Sequence, residues 1–299
     1  MNKIKLCLLP FFLWTLYHFV GAFCQKYTDN FSVARIHSTL PYNSKWETTP
    51  LTEETQKELE TALSQEYRYL ACGGQCFAFG SEDGKYVIKF FKHKIRPPYS
   101  YLLHLSLPQI LDKIVQRKKD KAFSKLNRDF LSYKLAYEEL QEETGLLYIH
   151  LNKGQSLHRS LSIVDKIGIK HEISLDAIEF VVQKQGRLAP SHIDALMKKG
   201  DFEKARCALR AMLDTIVSRC KKGFFDEDPQ IHRNFGFVGD KPIFIDVGRF
   251  VPDARRKDPA VYSADLLKIT HRFRKWLSTA HPELVNILDE EIRVFQTQT

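Results

Sequence analysis

The chain has 299 residues, of which 43% are hydrophobic and 27% charged, a composition that is typical of globular proteins and excludes a disordered chain. The length allows two domains or one domain of two lobes. The formal net charge is +9, but ten Lys or Arg and only two Asp lie between residues 89 and 125, so +8 belongs to one segment. Because the rest of the chain is close to neutral, general nucleic-acid coating is a poor first interpretation. The six cysteines show no CxxC pair and no zinc spacing, which leaves free thiols and disulfides both open.

The first 25 residues contain an apolar segment that indicates export or membrane attachment. Residues 6–24 carry no formal charge and follow the basic Lys3 and Lys5. This pattern is typical of a secretory signal peptide or of a single membrane anchor. Small residues allow cleavage after Ala22, and Pro10 weakens the segment as a permanent span. A cleaved signal peptide is therefore favoured, with a retained anchor as the alternative.

Residues 26–91 are predicted to form an N-terminal extension and then the first strands. The extension covers residues 26–64. Its first half, to about residue 50, is polar and irregular and is expected to be a surface arm, and a helix is expected from Thr52 to about Ser64. Aromatic and β-branched runs predict strands over 67–72, 76–80 and 86–91. Asp83-Gly84 is a typical hairpin turn between the second and third of them.

The remainder divides into a strand-rich part and a helical part. We expect a basic insert over 92–121, a helix over about 122–143, and strands over 146–152, 162–167 and 178–183. After residue 186 the pattern predicts helices over 191–198, 202–221, 262–279 and 282–295, and a hairpin of 235–238 with 242–246. The prediction is an α+β chain with a sheet-rich N-lobe over 65–186 and a helical C-lobe over 187–299.

Two features of the strand-rich part are suited to binding phosphate. Gly73 and Gly74 lie between the first two strands, where a backbone without side chains can approach a phosphate closely. An ordinary turn is the alternative. Lys89 shares a face of the third strand with Val87 and Phe91, and an ammonium group in such apolar surroundings needs water or an anion. An edge lysine that extends into solvent is the alternative.

Two features of the helical part are suited to binding a metal. An acidic loop (residues 226–230) follows a strongly predicted helix and leads to Asn234, and Asp246 ends an apolar strand. A short hairpin would bring this Asn and this Asp together as oxygen ligands, which magnesium prefers. Taken singly, the same features fit a solvated loop and an ordinary strand end.

The order of these features over about residues 65–250 resembles the protein-kinase-like superfamily, which includes protein kinases and aminoglycoside-type small-molecule kinases. The resemblance implies a two-lobed kinase-like fold with ATP and magnesium as cofactors. Residues 183–186 would be the hinge between the lobes. The implied nucleotide-binding residues are Gly73, Gly74, Val87, Lys89, Gln183 and Gln185, and the implied magnesium ligands are Asn234 and Asp246.

The sequence departs from the family pattern at positions that bear on catalysis. The full GxGxxG motif is absent. The position five residues before the asparagine, where the family has its catalytic aspartate, is Pro229. Asp228 is therefore the implied catalytic base, with Asp226 as second choice. The acidic partner of Lys89 is expected to be Asp129 on the helix after the insert, and a surface Asp129 paired with a basic neighbour is the alternative.

Two classes of function follow. The first is an ATP- and magnesium-dependent phosphotransferase whose hydroxyl acceptor is a protein or a small molecule. The second is a catalytically inactive pseudokinase that acts as an exported or membrane-attached binding module, which the altered Asp–Asn spacing favours. A basic insert that docks on a membrane surface or a partner is a third interpretation, less favoured than a solvated loop. No specific nucleic-acid partner is expected, and membrane contact through residues 6–24 stays an option.

Overall fold

The computed structural model describes residues 2–38, 40–93, 109–154 and 157–297. The α-helices within these ranges are α1 (Asn2–Thr28), α2 (Val33–Ile36), α3 (Glu53–Leu63), α4 (Gln109–Glu139), α5 (Gln141–Thr144), α6 (Ala189–Lys198), α7 (Phe202–Lys221), α8 (Ile231–Asn234), α9 (Pro259–Ala280) and α10 (Val285–Thr297). The strands are β1 (Tyr67–Cys72), β2 (Cys76–Ser81), β3 (Tyr86–Phe91), β4 (Leu146–His150), β5 (Ser160–Val164), β6 (Lys170–Ser174), β7 (Phe180–Lys184), β8 (Arg187–Leu188), β9 (Phe224–Asp226), β10 (Phe235–Val238), β11 (Lys241–Phe244) and β12 (Phe250–Pro252).

The strand-rich lobe is built on one seven-stranded sheet with the order β4-β7-β3-β2-β1-β5-β6. The strands β1, β2 and β3 form where they are predicted, and the pairs β1–β2, β2–β3, β3–β7 and β4–β7 are antiparallel. The strand β5 pairs with β1 in parallel. This order places β3, the strand of Lys89, in the middle of the sheet, where both of its edges are hydrogen-bonded.

The sheet buries both of its faces, because the side chains of β3 alternate between two apolar clusters. Phe91 belongs to the cluster that α4 and the helices of the second lobe complete. Ile88 and Phe90 belong to a second cluster, which α3 and the N-terminal extension cover. The helical lobe adds the small sheets β11-β10-β8 and β12-β9. The fold is the predicted α+β arrangement of two lobes.

The prediction of a surface arm over the first half of the extension is wrong. Phe31 and Ile36 are buried, and the Phe31 ring meets the rings of Phe77 and Phe79 edge-on at centroid distances of 5.2 Å. Trp46 is buried as well, and its indole Nε1 donates a hydrogen bond of 2.8 Å to Asn127. The apolar residues of this arm are isolated and follow no period, so sequence patterning does not reveal that they pack into the core.

The observed helix α4 differs at both ends from the helix that is expected over 122–143. It begins at Gln109, inside the predicted basic insert, and residues 94–108 of that insert lie outside the described residues. Good helix formers continue upstream of residue 122 without Pro or Gly, which explains the extension. The helix ends at Glu139, and after α5 the chain leaves through Gly145, whose φ of 61° favours glycine.

The N-terminal apolar segment belongs to α1, on which several aromatic side chains are exposed, among them Trp14, Tyr17 and Phe19. Within the described ranges, none of the helices combines the length and the apolar character needed to cross a membrane.

Candidate nucleotide and metal site

Lys89 lies buried on the central strand β3, where its ammonium group is held by protein acceptors. Its Nζ donates a hydrogen bond of 2.7 Å to Gln183 Oε1 and another to the backbone carbonyl of Ile245. Burial lowers the pKa of Lys89, and the nearby Asp246 carboxylate opposes this shift. The fold thus brings Lys89 next to Asp246, which is far away in sequence.

Gln183, which is predicted to bind the nucleotide at the hinge, instead makes hydrogen bonds within the protein through both atoms of its side-chain amide. Its Oε1 accepts the bond from Lys89. Its Nε2 donates to the carbonyls of Thr144 at 2.6 Å and Phe244 at 2.8 Å. These bonds tie the end of β7 to α5 and to the end of β11. Gln183 therefore holds Lys89 and joins the two lobes, a role that the resemblance does not imply.

The glycine loop (residues 73–75) folds over the segment that carries Asp246. Gly73 and Gly74 are exposed, and a side chain on Gly74 would meet no other atom within 4 Å. The next residue, Gln75, donates hydrogen bonds of 3.2 Å to Asp129 Oδ1 and to the carbonyl of Gly248. A Cβ on Gly248 would collide with the Gln75 carboxamide. Gln75 therefore closes the space between the loop and Asp246-Val247-Gly248, a contact that no sequence motif signals.

Asp129 lies buried on α4, which rules out the surface alternative, and its contacts differ from the predicted ones. Besides the bond from Gln75, its carboxylate lies 3.7 Å from the Arg249 guanidinium. The hydrogen bonds of Lys89 go instead to Gln183 and to the Ile245 carbonyl. The acidic group that acts on the pKa of Lys89 is Asp246, so the predicted Lys89–Asp129 pairing finds no support here.

The hairpin of β10 and β11 brings the backbone of Asn234 close to the segment that carries Asp246. The backbone N–H of Ile245 donates a hydrogen bond of 2.7 Å to the carbonyl of Asn234. The Asn234 side-chain Nδ2 donates to the carbonyl of Asp228 at 2.8 Å, which fixes the orientation of its amide. Asp246 Oδ1 accepts the N–H of Gly248 at 3.1 Å. The hairpin thus brings into one region two residues with oxygen-bearing side chains, the ligand type that magnesium prefers.

No cluster of three or more His, Cys, Asp or Glu side chains suited to a metal occurs among the described residues. A cation held by Asn234 and Asp246 would therefore take its other ligands from water and from phosphate oxygens, as magnesium commonly does in nucleotide sites.

The two aspartates of the acidic loop have different surroundings. Asp226 is buried, 3.4 Å from the buried Arg219 guanidinium, and its Oδ1 accepts the N–H of Asp228 at 2.9 Å. Burial raises the pKa of Asp226 to about 6, although Arg219 opposes the shift. Asp228 is half-buried, and its Oδ1 accepts a hydrogen bond of 2.7 Å from Gln230. The geometry makes Asp226 an anchor of the loop and leaves Asp228 as the carboxylate closer to solvent.

Val87 and Gln185 lie at the predicted nucleotide face of the sheet together with a residue that the sequence analysis missed. Val87 is half-buried and pairs with Gln183 on one side and with Gly80 on the other. A Cβ on Gly80 would lie 2.9 Å from the Leu70 side chain and 3.1 Å from Gln185 Oε1, so both side chains pack over Gly80. Leu70 is half exposed because β1 shifts register between residues 69 and 71, which strand alternation alone does not reveal.

Solved kinase structures are among those to which the chain is similar. WbdD with the kinase inhibitor LY294002 is 13% identical with a TM-score of 0.35, over 75% of this chain and 45% of that one. The ROP18 kinase domain with AMP-PNP and sucrose is 13% identical with a TM-score of 0.35, over 62% of this chain and 51% of that one. The Rv3197–erythromycin complex from Mycobacterium tuberculosis is 12% identical with a TM-score of 0.31, over 97% of this chain and 75% of that one.

The chain spans about half the length of the first two of these structures. No protein-family model and no curated protein matches the sequence. The chain is an α+β protein of two lobes, and the contacts of Lys89 bring the large sheet next to the segment that carries Asp246.

Proposed function

We propose that the chain is an atypical kinase-like phosphotransferase that transfers a phosphoryl group from ATP, with magnesium, to a hydroxyl acceptor. One observation carries the proposal. Lys89 lies near Asp246, and the backbone of Asn234 is bonded to the residue before Asp246, so the residues that the resemblance assigns to phosphate and metal belong to one region. Positioning and charge neutralisation supply most of the rate in phosphoryl transfer, so this convergence matters more than any single residue.

Each residue has a defined task in this proposal. Lys89 leaves the Ile245 carbonyl and binds the α- and β-phosphates, while the backbone of Gly73 and Gly74 covers them. Asn234 and Asp246 hold magnesium, which neutralises the negative charge of the phosphates. For Lys89 to reach a phosphate, the Gln75 side chain first has to leave Gly248.

Asp228 is the proposed base, because it is the acidic-loop aspartate that reaches the surface. It orients the acceptor hydroxyl and takes up its proton as the hydroxyl oxygen bonds to the γ-phosphorus, while the bond from that phosphorus to the bridging oxygen breaks and ADP leaves. Asp226 acts through it: the buried carboxylate accepts the Asp228 N–H and is itself held by Arg219. Asp226 is therefore a positioning residue and not the base.

The test separates binding from transfer. We expect Asp228→Asn to keep Mg·ATP binding and to lower transfer from γ-labelled ATP, to the chain itself or to water, by about 100-fold or more. Asp246→Asn is expected to lose both binding and transfer. Full transfer activity in Asp228→Asn would contradict the assignment of the base.

A second candidate is the pseudokinase, an exported or membrane-attached binding module. The contacts of Gln75 with Gly248 and of Lys89 with Gln183 and Ile245 favour it, because they occupy the groups that a nucleotide would need. Metal-dependent nucleotide binding without any release of ADP would identify the pseudokinase. ADP formation that Asp246→Asn abolishes would identify the enzyme.

We further propose that residues 6–24 export the chain or attach it to a membrane. The uncharged run behind Lys3 and Lys5 and the exposed aromatic side chains of α1 support this proposal. Fractionation of cells and N-terminal sequencing of the mature protein test it. A mature chain that starts after Ala22 indicates a cleaved signal, an intact chain in membranes indicates an anchor, and an intact chain in the soluble fraction contradicts the proposal.

A further inference from the structure

A cavity of about 640 Å³ lies beside the predicted hinge. Its walls come from the turn before β3, the hinge, α6, the start of α7 and the turn between β10 and β11. Of the residues assigned above to nucleotide, metal and transfer, Gln185 alone lines it. The cavity is therefore distinct in its lining from the site around Lys89.

Two cations of this cavity have no partner among the described residues. Arg187 and Lys199 both line it, are exposed, and form no ion pair and no side-chain hydrogen bond within that part of the chain. Lys204, by contrast, is paired with Asp201 at 3.4 Å. The remaining acid of the lining, Asp240, lies on the exposed turn after β10. Two unpaired cations that converge on one cavity favour an anion with several acceptor oxygens.

The inner wall of the same cavity offers polar atoms that the protein leaves unused. His192 is 9% exposed and stacks on Phe237 with ring centroids 4.2 Å apart, and its Nε2 has no hydrogen-bond partner among the described residues. Gln185 Oε1 is also buried and has no hydrogen-bond partner in the part of the chain that the structure describes. Unsatisfied buried polar atoms cost free energy, and a ligand that supplies hydroxyl groups removes this cost.

We propose that this cavity binds the phosphate ester of a small polyhydroxylated molecule, such as a sugar phosphate. The phosphate lies between Arg187 and Lys199, and a hydroxyl group of the ligand reaches toward His192. Burial lowers the pKa of His192, so its ring is neutral at pH 7 and can accept a hydrogen bond from a hydroxyl. The cavity is a second ligand site next to the hinge and does not depend on phosphoryl transfer.

The proposal is tested by titrating the full chain with glucose 6-phosphate, glucose and inorganic phosphate in a calorimeter. We expect glucose 6-phosphate to bind more tightly than either of the other two probes. Arg187→Ala and Lys199→Ala should each weaken its binding by about tenfold, the effect of one charge-assisted hydrogen bond. Lys198→Ala is the matched control, because Lys198 is exposed at the end of α6, directly before Lys199, and does not line the cavity.

A further variant tests the contribution of His192 to binding. His192→Phe keeps the stacking on Phe237 and removes the ring nitrogens, so it should weaken glucose 6-phosphate binding while the fold is retained. Unchanged binding in Arg187→Ala and Lys199→Ala, or no binding of glucose 6-phosphate at millimolar concentration, would overturn the proposal. Competition by ATP would overturn it as well, because the cavity would then belong to the nucleotide site. Asp246→Ala, which is expected to abolish nucleotide binding, should leave this binding intact.

Discussion

The Gln75 side chain bridges the glycine loop, α4 and the segment that carries Asp246. Its two hydrogen bonds link the glycine loop to Asp129 and to the Gly248 carbonyl. Each such bond contributes about 1 kcal/mol to the closed arrangement. The affinity for nucleotide therefore includes the cost of breaking these bonds.

Replacing Gln75 by Ala removes both bonds, about 2 kcal/mol together, so we expect Mg·ATP affinity to rise by about 30-fold. Gly248→Ala should act in the same direction, because the added Cβ displaces the Gln75 carboxamide. Calorimetric titration with Mg·ATP measures both variants. A loss of affinity in Gln75→Ala would show that Gln75 helps to bind the nucleotide instead of closing its site.

Asp226 gives the stability of the protein a distinct pH dependence. Its carboxyl group has an ordinary pKa of 3.8, which burial in the fold raises to about 6. Between about pH 4 and pH 6 the unfolded chain has released this proton while the folded chain keeps it, so the free energy of unfolding falls as the pH rises. Above about pH 6 both states are ionised and the contribution stays constant.

We expect the free energy of unfolding of the wild type to fall, relative to that of Asp226→Asn, from pH 4 to pH 6. Urea unfolding at a series of pH values measures both proteins, and taking the difference removes the common contribution of other carboxylates. A wild type that instead gains stability relative to the variant over this range would show that Arg219 outweighs burial. Asp214→Asn on the same helix as Arg219 is the control, since Asp214 is exposed.

At the scale of elements, the sequence predicts those helices and strands whose residues follow a regular apolar pattern. The strands β1, β2 and β3 follow from aromatic and β-branched runs, and α7 follows from its apolar period. The strand β6 reads Lys-His-Glu-Ile-Ser and is missed, because its polar side chains carry no alternation that favours a strand. The paired strands β9 and β12 are too short to stand out.

Some residues of the candidate site can likewise be found from the sequence, and others only from the structure. Lys89, Asn234 and Asp246 can be found from the sequence because each belongs to a motif with a defined order. Gln75 and Leu70 cannot, because their roles arise from contacts across the cleft and from a register shift. Asp226 is buried and Asp228 is not, because of how the acidic loop packs in the folded protein. The sequence of the loop does not show this difference.

The packing of the N-terminal arm is tested by Trp46→Ala. The Trp46 ring packs on Phe130 of α4 at a centroid distance of 4.9 Å and is 2% exposed. Truncation should lower the free energy of unfolding by about 3–5 kcal/mol, as is typical for a buried aromatic residue. Tyr42→Ala, at an exposed position in the same arm, should cost much less. Equal effects in urea unfolding would show that the arm is not part of the core.

At the scale of the whole molecule, the two lobes are joined where the chemistry is proposed. Gln183 and Lys89 from the large sheet both bind backbone carbonyls at the end of β11. The Gln75 side chain makes a third link to the same segment. Ligand binding at this junction should therefore change the stability of both lobes together.

Thermal unfolding of the full chain, purified in mild detergent, with ATP in the presence and absence of magnesium tests the central claim most directly. At about 100 times the dissociation constant, Mg·ATP should raise the midpoint by about 5 °C, and without magnesium the rise should be much smaller. Asp246→Ala and Lys89→Ala should both abolish the rise. A folded wild type with no rise, or an equal rise in both variants, would contradict a nucleotide site at Lys89, Asn234 and Asp246.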